Sequence, residues 1–538
     1  MRAPAAQLRF LRRREMPTLG SRGDQRAEGE GQVHVAPPGW RGKPAPIWPV
    51  LVACLVVAAF SLLAPSTPTY DPWAWILWGR EITHLDLVTS GGPSWKPLPM
   101  FFTIPFSLTG THVAPYLWLL IARAGGLLAC VMAYRVASRI VGGFYGIFAG
   151  LLAGLALFSS FKFVRDAALG NSEALLAALV LWAFERHMDG RRDHALYLAF
   201  AAALLRPEVW PFLGVYGLYL WVRDPYLRWR LIGFAVLVPL LWFGPELWGS
   251  GQPLRASTRA NNPNPGSAAF AKHPALELVS RFRKVVIAPI KGGILVASVF
   301  AIVMWVRRRK EGPTLALVVG GVAWFCLVAG MTEAGYAGNQ RYLIVSTAAA
   351  AVLGGTGGAR VLQGVGMLVE RFTGSWRKGA IAAAAFLAVA FAASFPFVVE
   401  KANNTGRVSG GLDHEAALWA DLKTLLKQEG GRKRLLACGG VFSGPFQTQM
   451  LAWELHIHGI QIGWRSTRPP GVAFRTRTVP DGPLVVKPTD GRFRQVAHVG
   501  TWRLLTVPPT NGKPSRSSCP SAGPGAPTAP LPPNRPVP

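Results

Sequence analysis

Long apolar runs recur through the first 399 residues, and many of the Lys and Arg residues gather in the short segments between them. Inside hydrocarbon every backbone N–H and C=O must find a partner within the protein, which leaves helices and closed barrels as the spanning forms. Runs approaching about 20 residues suit helices, because a strand crosses in about half that length. The pattern predicts about eleven spans, near 47–64, 116–137, 142–160, 172–186, 195–206, 209–222, 231–248, 286–306, 314–330, 342–358 and 380–399. Several are short, and the pair flanking Arg206–Pro207 reads as two helices meeting at a tight outer turn.

Half of the chain is hydrophobic and only 16% is charged, where soluble chains carry about a quarter. A formal net charge of +30 in a soluble protein would suggest nucleic acid. Here many of the cations flank apolar runs, and no basic, aromatic-interleaved soluble module accompanies them, so the expected partner is the lipid bilayer and not nucleic acid.

The cations also set orientation. With a cytoplasmic N-terminus, alternate loops should be basic. Arg135 and Arg139, then Arg186, Arg191 and Arg192, then Arg223, Arg228 and Arg230, then Arg307 to Lys310, then Arg371, Arg377 and Lys378 form such a set. Residues 1–46 are read as a disordered basic cytoplasmic tail, and 47–399 as the transmembrane region. An odd number of spans places residues 400–507 outside, as a small α/β domain, followed by a disordered Pro-rich tail at 508–538. One outer loop breaks the bias, with Arg255, Arg259, Lys272, Arg281, Arg283 and Lys284 against Glu277. A basic loop on that side suits an anionic ligand.

In the C-terminal region, Asp413 is expected to cap a helix running to about Lys427. Strands are expected at Leu435–Cys438, Leu484–Lys487, Phe493–His498 and Trp502–Val507. Cys54, Cys130 and Cys326 fall within apolar runs, and Cys519 within the expected tail, so no Cys438–Cys519 bridge is assigned. His456 and His458 lack a third ligand nearby and are read as structural or solvated.

The most unusual stretch is the first outer loop, with Tyr70-Asp71-Pro72-Trp73, Trp75 and Trp78, then Gly91-Gly-Pro-Ser-Trp95-Lys96-Pro97-Leu-Pro. The tryptophans suit an interface where one ring edge is wet. An aspartate just after the first span, an aromatic amphipathic stretch, and a "KP" motif before the next span together resemble the GT-C glycosyltransferases. The branch most similar contains the protein O-mannosyltransferases and lipid A aminoarabinose transferases, and the likeness in order and spacing runs from about residue 47 to 225.

The resemblance implies a GT-C-like α-helical polytopic protein of the inner or plasma membrane that uses a polyprenyl-phosphate sugar donor on the outer face. The acceptor is a glycan, protein or lipid. It implies that Asp71 is the base that deprotonates the acceptor hydroxyl, and that Lys96 contacts the donor phosphate. This chain departs from the family where Pro72 follows the aspartate in place of a second acid, and where Lys96-Pro97-Leu98-Pro99 replaces "KPP". These departures leave a divalent metal site undecided.

The second outer loop holds Arg165, Asp166 and Glu173, and the family's acid at a helix head matches Glu173 better than Asp166. A cap on the helix dipole is the competing reading. Arg206 and Arg341 match basic residues that face the donor, and Arg165 joins them as a phosphate-binding candidate. Trp73, Trp95, Glu208, Tyr342, Arg255 and Arg259 complete the candidates, as substrate contacts. A transporter of a lipid-linked glycan would favour repeats or broken helices meeting at the midplane. That class and a non-catalytic envelope scaffold are the alternatives to the transferase.

Overall fold

The computed structural model describes residues 46–285, 288–308, 311–464, 467–510 and 518–521. The expected basic tail, apart from Pro46, and most of the expected Pro-rich tail lie outside the described residues.

Each predicted span coincides with a helix. The helices are α1 (Ile47–Ser61), α2 (Tyr70–Thr83), α3 (Pro97–Ser107), α4 (Ala114–Val141), α5 (Gly143–Phe158), α6 (Phe161–Ala168), α7 (Glu173–Met188) and α8 (Arg192–Ala203). They continue with α9 (Trp210–Arg223), α10 (Arg228–Ser250), α11 (Arg255–Ala260) and α12 (Pro274–Arg283). The last four of this region are α13 (Ala288–Val306), α14 (Gly312–Glu333), α15 (Ile344–Thr373) and α16 (Trp376–Gln428).

Among the described residues, six helices are long and apolar enough to cross a membrane, or seven if the 66° bend between α5 and α6 lies within one span. The expected number of about eleven therefore rests on α1, α7, α8 and α9, of 15, 16, 12 and 14 residues. At about 1.5 Å per residue the shortest of these covers roughly 18 Å, against about 30 Å of hydrocarbon.

Helix α15 is the packing centre, in contact with α4, α5, α7, α13, α14 and α16. Its run of Ala348 to Ala351, Gly354, Gly355 and Gly357 is buried. Small residues let helix backbones approach within lipid. A Cβ on Gly357 would overlap the carbonyl of Gly293 in α13, and one on Gly355 would overlap Ala149 in α5.

The segments after α1, α5, α8, α10 and α14 meet on one face. Thr69 N–H donates to the Leu169 carbonyl at 3.0 Å, Leu98 N–H to Leu204 at 3.1 Å and Thr89 N–H to Gly249 at 3.0 Å. Segments from the other helix ends meet separately. There Arg135 and Arg139 pair with Glu185, Arg139 also with Asp189, and Arg192 with Asp224. Such alternation is what a chain threading back and forth produces.

Helix α16 continues through the expected boundary at residue 400. It runs unbroken for 53 residues from the apolar segment into the C-terminal domain, and Asp413 lies inside it and caps nothing. Leu418, Trp419, Leu422 and Leu425 form its buried stripe. Beyond it come α17 (Gly431–Leu436), β1 (Gly440–Ser443), α18 (Thr448–Leu455), β2 (Ile462–Gly463), β3 (Gly471–Arg477), β4 (Leu484–Val485), β5 (Arg494–Val499) and β6 (Trp502–Val507). The sheet order is β2-β1-β3-β6-β5, with β4 paired to β3. The expected strand at 435–438 begins in α17 instead, and β3, the central strand, was not among the expected ones. Cys438 and Cys519 form a disulfide, which corrects the reading of Cys519 as part of a free tail. The bond fastens Ser518–Ser521 to the domain, and Thr506 Oγ1 donates to the Pro520 carbonyl at 2.7 Å.

Candidate functional site

Helix α2 carries Asp71 in its first turn, where the helix dipole favours an acid, and Pro72 needs no N–H partner there. Its tryptophans are not the wet interfacial rings expected. Trp73, Trp75 and Trp78 are at most 2% exposed. Trp73 packs edge-on against Trp419 of α16 at 5.1 Å, Trp75 against Trp118 of α4 at 5.4 Å, and Trp78 lies 5.5 Å from Trp95. This packing turns Asp71 toward the bundle. Trp73 and Trp95, expected as substrate contacts, are instead core residues.

Arg341 joins the pieces. It lies in the short 3₁₀ turn Gln340–Leu343 that opens α15. Its Nη2 donates to Asp71 Oδ2 at 2.7 Å, its Nη1 to Asn171 Oδ1 at 3.1 Å, and its Nε lies 3.8 Å from Glu173 Oε1. That same Glu173 oxygen is 3.2 Å from Arg206 Nη1 and 3.5 Å from Lys96 Nζ. Three cations thus share one carboxylate oxygen, while Glu173 Oε2 is buried without a hydrogen-bond partner. Lys96 also donates to Ser172 Oγ at 2.8 Å and lies over the Trp75 ring at 4.9 Å. Burial pushes the Lys96 ammonium below its ordinary value, and Glu173 pulls it back.

Arg206 is 4% exposed. It forms a forked pair with Glu208, with Nη2 at 2.6 Å, and donates to the Tyr336 hydroxyl at 2.9 Å. Tyr336 donates in turn to Glu208 at 2.9 Å, and the guanidinium lies 3.9 Å over the Tyr342 ring. The mutual pairing of Arg206 and Glu208 is therefore present, but Arg206 also reaches Glu173. Glu208 and Tyr342 hold Arg206 in place.

Beside this cluster a narrow cleft of about 20 Å³, open to solvent on one side, is lined by Lys162, Asp166, Glu173, Gln340 and Arg341 with Phe163, Ala174 and Ile344. A second hollow of about 10 Å³ shares Ser160, Val285 and Thr347 with it and continues between Ala156, Ser159, Ile290 and Ala351. A charged mouth thus leads to a small recess between α5, α13 and α15, where Ala156, Ile290 and Ala351 alternate with the hydroxyls of Ser159, Ser160 and Thr347. Lys162 and Asp166 have no ion-pair partner within 4 Å among the described residues.

The remaining candidates stand apart. Arg165 is 3.7 Å from Glu415 of α16. Arg255 is a buried strut. It pairs with Glu246 at 2.6 Å and donates to the carbonyls of Gly92 at 3.2 Å and Pro93 at 2.7 Å. Glu246 also accepts from Thr89 Oγ1 at 2.9 Å and the Trp95 N–H at 3.3 Å, so the pair fixes the loop that ends in Lys96. Arg259 donates to Asn262 and Asn264 within its own loop.

Sequence reasoning overlooked Tyr336 and Glu246. Glu246, an acid within a run of apolar residues, had a readable signal, whereas Tyr336 had none. Among the described residues, no three His, Cys, Asp or Glu side chains come together as a metal would require. Arg341 stands between Asp71 and Glu173.

The C-terminal domain clasps α2 from the other side. Arg80 donates to the Trp453 carbonyl at 2.8 Å, and Gln449 to the Gly91 carbonyl at 2.8 Å. His458 lies between Glu81 at 2.8 Å and Asp86 at 3.2 Å, a structural placement.

No family model matches the chain, and no curated protein matches it in sequence. Its fold is similar to the crystal structure of ArnT from Cupriavidus metallidurans bound to undecaprenyl phosphate. The TM-score is 0.49 and the identity 16%, over 85% of this chain and 97% of that one. The apo state of the same ArnT aligns at a TM-score of 0.48 with 15% identity and the same coverage.

Proposed function

We propose that this chain is a GT-C-type membrane glycosyltransferase. It moves a sugar from a polyprenyl-phosphate donor to an acceptor hydroxyl at the outer face of the membrane, with inversion. The observation that carries this reading is Arg341, which ties Asp71 to the Lys96–Arg206–Glu173 cluster. That assembly stands at the mouth of a small cleft between helices.

Asp71 removes the acceptor proton as its oxygen attacks the anomeric carbon. The bond from that carbon to the phosphate oxygen breaks, and Lys96, Arg206 and Arg341 stabilise the charge left on the phosphate. Orientation follows the loop cations, with the N-terminus cytoplasmic and the C-terminal domain outside. The Cys438–Cys519 bond supports that side, because disulfides persist in oxidising compartments.

Asp71→Asn keeps a group that hydrogen-bonds Arg341 and removes the base. Turnover with a polyprenyl-phosphate sugar in liposomes should fall by about 10²–10⁴, with membrane insertion unchanged. Full turnover in that variant would sink the assignment. Comparing envelope glycans from cells with and without the chain identifies the sugar and the acceptor.

A further inference from the structure

The basic outer loop that breaks the charge bias is not used by the proposed chemistry, and three of its six cations have distinct jobs. Arg255 is a buried strut, Arg259 bonds its own loop, and Arg281 pairs with Glu277 at 2.7 Å. Lys272, Arg283 and Lys284 are left, exposed and without a side-chain partner among the described residues.

These three lie on or beside α12, which has two different faces. Leu278 is fully buried, Phe282 packs 5.6 Å from Phe325 of α14, and Ala275 N–H donates to Glu333 at 2.9 Å. Gln340, beside Arg341, donates to the Arg281 carbonyl at 3.1 Å. The opposite stripe runs Leu276, Val279 and Arg283 at helical spacing, and Lys272 lies two residues before the helix begins. Leu276 is 65% exposed and Val279 40%, and Phe270 just before the helix is 66% exposed.

An apolar stripe with a cation at each end suits neither water nor hydrocarbon alone. It suits the boundary between them, where the apolar side chains enter the acyl region and the cations reach phosphates. The chain fixes the depth, because only four residues separate the end of α12 from the start of α13, an apolar helix long enough to cross. Glu277, the only acid on α12, is already paired.

We infer that α12 is an interfacial helix that docks its Leu276–Val279–Arg283 stripe, with Lys272 and Lys284, onto the anionic phospholipid headgroups beside the mouth of the cleft. The occupant is the leaflet itself, since a soluble anion would leave Leu276, Val279 and Phe270 in water. Val285 lines the cleft one turn on, so docking holds that wall at headgroup level. The inference rests on membrane placement and not on the transferase reading.

The test is amide hydrogen exchange of residues 272–285 in the full chain. It is reconstituted in nanodiscs of phosphatidylcholine alone, or of phosphatidylcholine mixed with phosphatidylglycerol. Each cation near an anionic surface is worth roughly a fivefold effect, so exchange should slow by about tenfold or more in the anionic discs. Lys272→Gln/Arg283→Gln/Lys284→Gln should erase that difference while exchange in α13 to α15 stays as in the wild type. Equal exchange in both discs, or a difference that survives the triple substitution, overturns the inference. Equal protection by inorganic phosphate in phosphatidylcholine discs also overturns it, since the site would then bind a soluble anion.

Discussion

Glu173→Gln asks whether that acid reacts or holds the place of an anion. Its Oε1 lies 3.2 Å from Arg206 Nη1, 3.5 Å from Lys96 Nζ and 3.8 Å from Arg341 Nε. At an effective dielectric of about 20 the nearest contact alone is worth roughly 5 kcal/mol of gross attraction. Desolvation of the buried groups cancels much of that, and losing one partner of a buried pair costs about 3–5 kcal/mol. The lower end applies, because Arg206 keeps Glu208, Lys96 keeps Ser172 and Arg341 keeps Asp71. The variant should therefore unfold about 3 kcal/mol more easily. Binding should change in the opposite direction. With one acid fewer, the three cations carry a surplus charge that a lipid phosphate neutralises, so polyprenyl phosphate should bind about tenfold tighter, or about 1.4 kcal/mol. Thermal unfolding of the purified protein against rising polyprenyl phosphate reads both effects, since a ligand that binds only the folded state stabilises it in proportion to its affinity. A variant as stable as wild type that binds the lipid no tighter refutes the reasoning.

Lys96→Ala and Arg341→Ala should each weaken donor use, read as a rise in the apparent KM for a polyprenyl-phosphate sugar. Unchanged values in both would remove the phosphate site from this cluster. Arg255→Met leaves the Glu246 carboxylate buried without its cation and should cost about 3–5 kcal/mol, whereas Arg255→Met/Glu246→Gln recovers much of it; if the double variant is no better than the single, the strut explanation fails. Replacing Cys438 and Cys519 by Ser frees a loop with a sequence separation of 81, worth about 4.5 kcal/mol by chain entropy, and protease cleavage of the C-terminal domain should speed up accordingly. His456 is exposed at one edge, and the partial burial of its ring, then Arg80, Arg432 and His84, hold it down to about 4. The unfolded chain therefore binds this proton first, and stability falls as pH drops from about 6.5 toward 4. His456→Asn, which tolerates the residue's positive φ of 56°, should flatten the decline in thermal midpoint, and an unchanged slope would clear His456 of the effect.

The helices were legible because hydrocarbon imposes one rule on every run that enters it, and each expected run is a helix. Which of the short ones crosses was not legible, since α8 is apolar enough to be buried by α7 and α9 whatever its tilt. Asp71, Lys96, Glu173, Arg206 and Arg341 stood out as charges abutting apolar runs, where solvation is poor and a partner is required, and they do converge. Their partners were harder to assign. Arg165 and Arg255 were equally conspicuous and yet serve α16 and the Lys96 loop, because a lone charge in a sequence says that it needs a partner but not which one. The tryptophans failed for a related reason. An amphipathic ring suits a wet interface only if nothing covers it, and α16 with the C-terminal domain, more than 300 residues downstream, covers Trp73.

The charge balance of the cluster gives Arg341 its place in the proposed reaction. The donor is a phosphodiester with one negative charge, and the lipid phosphate that leaves gains a second as the glycosidic oxygen departs. Asp71, as the proposed base, would meanwhile lose its charge by taking the acceptor proton, so the site as a whole would neither gain nor lose charge. One negative charge has simply moved from the base to the phosphate. Arg341 contacts Asp71 through Nη2 and faces Glu173 through Nε, so a single rigid guanidinium reaches both the proposed base and the cluster proposed to hold the phosphate. A lysine at this position would bind one of the two as a point charge. In the proposed reaction, proton transfer to Asp71 weakens its hold on Arg341 at the moment when the phosphate needs a cation, which couples the two events.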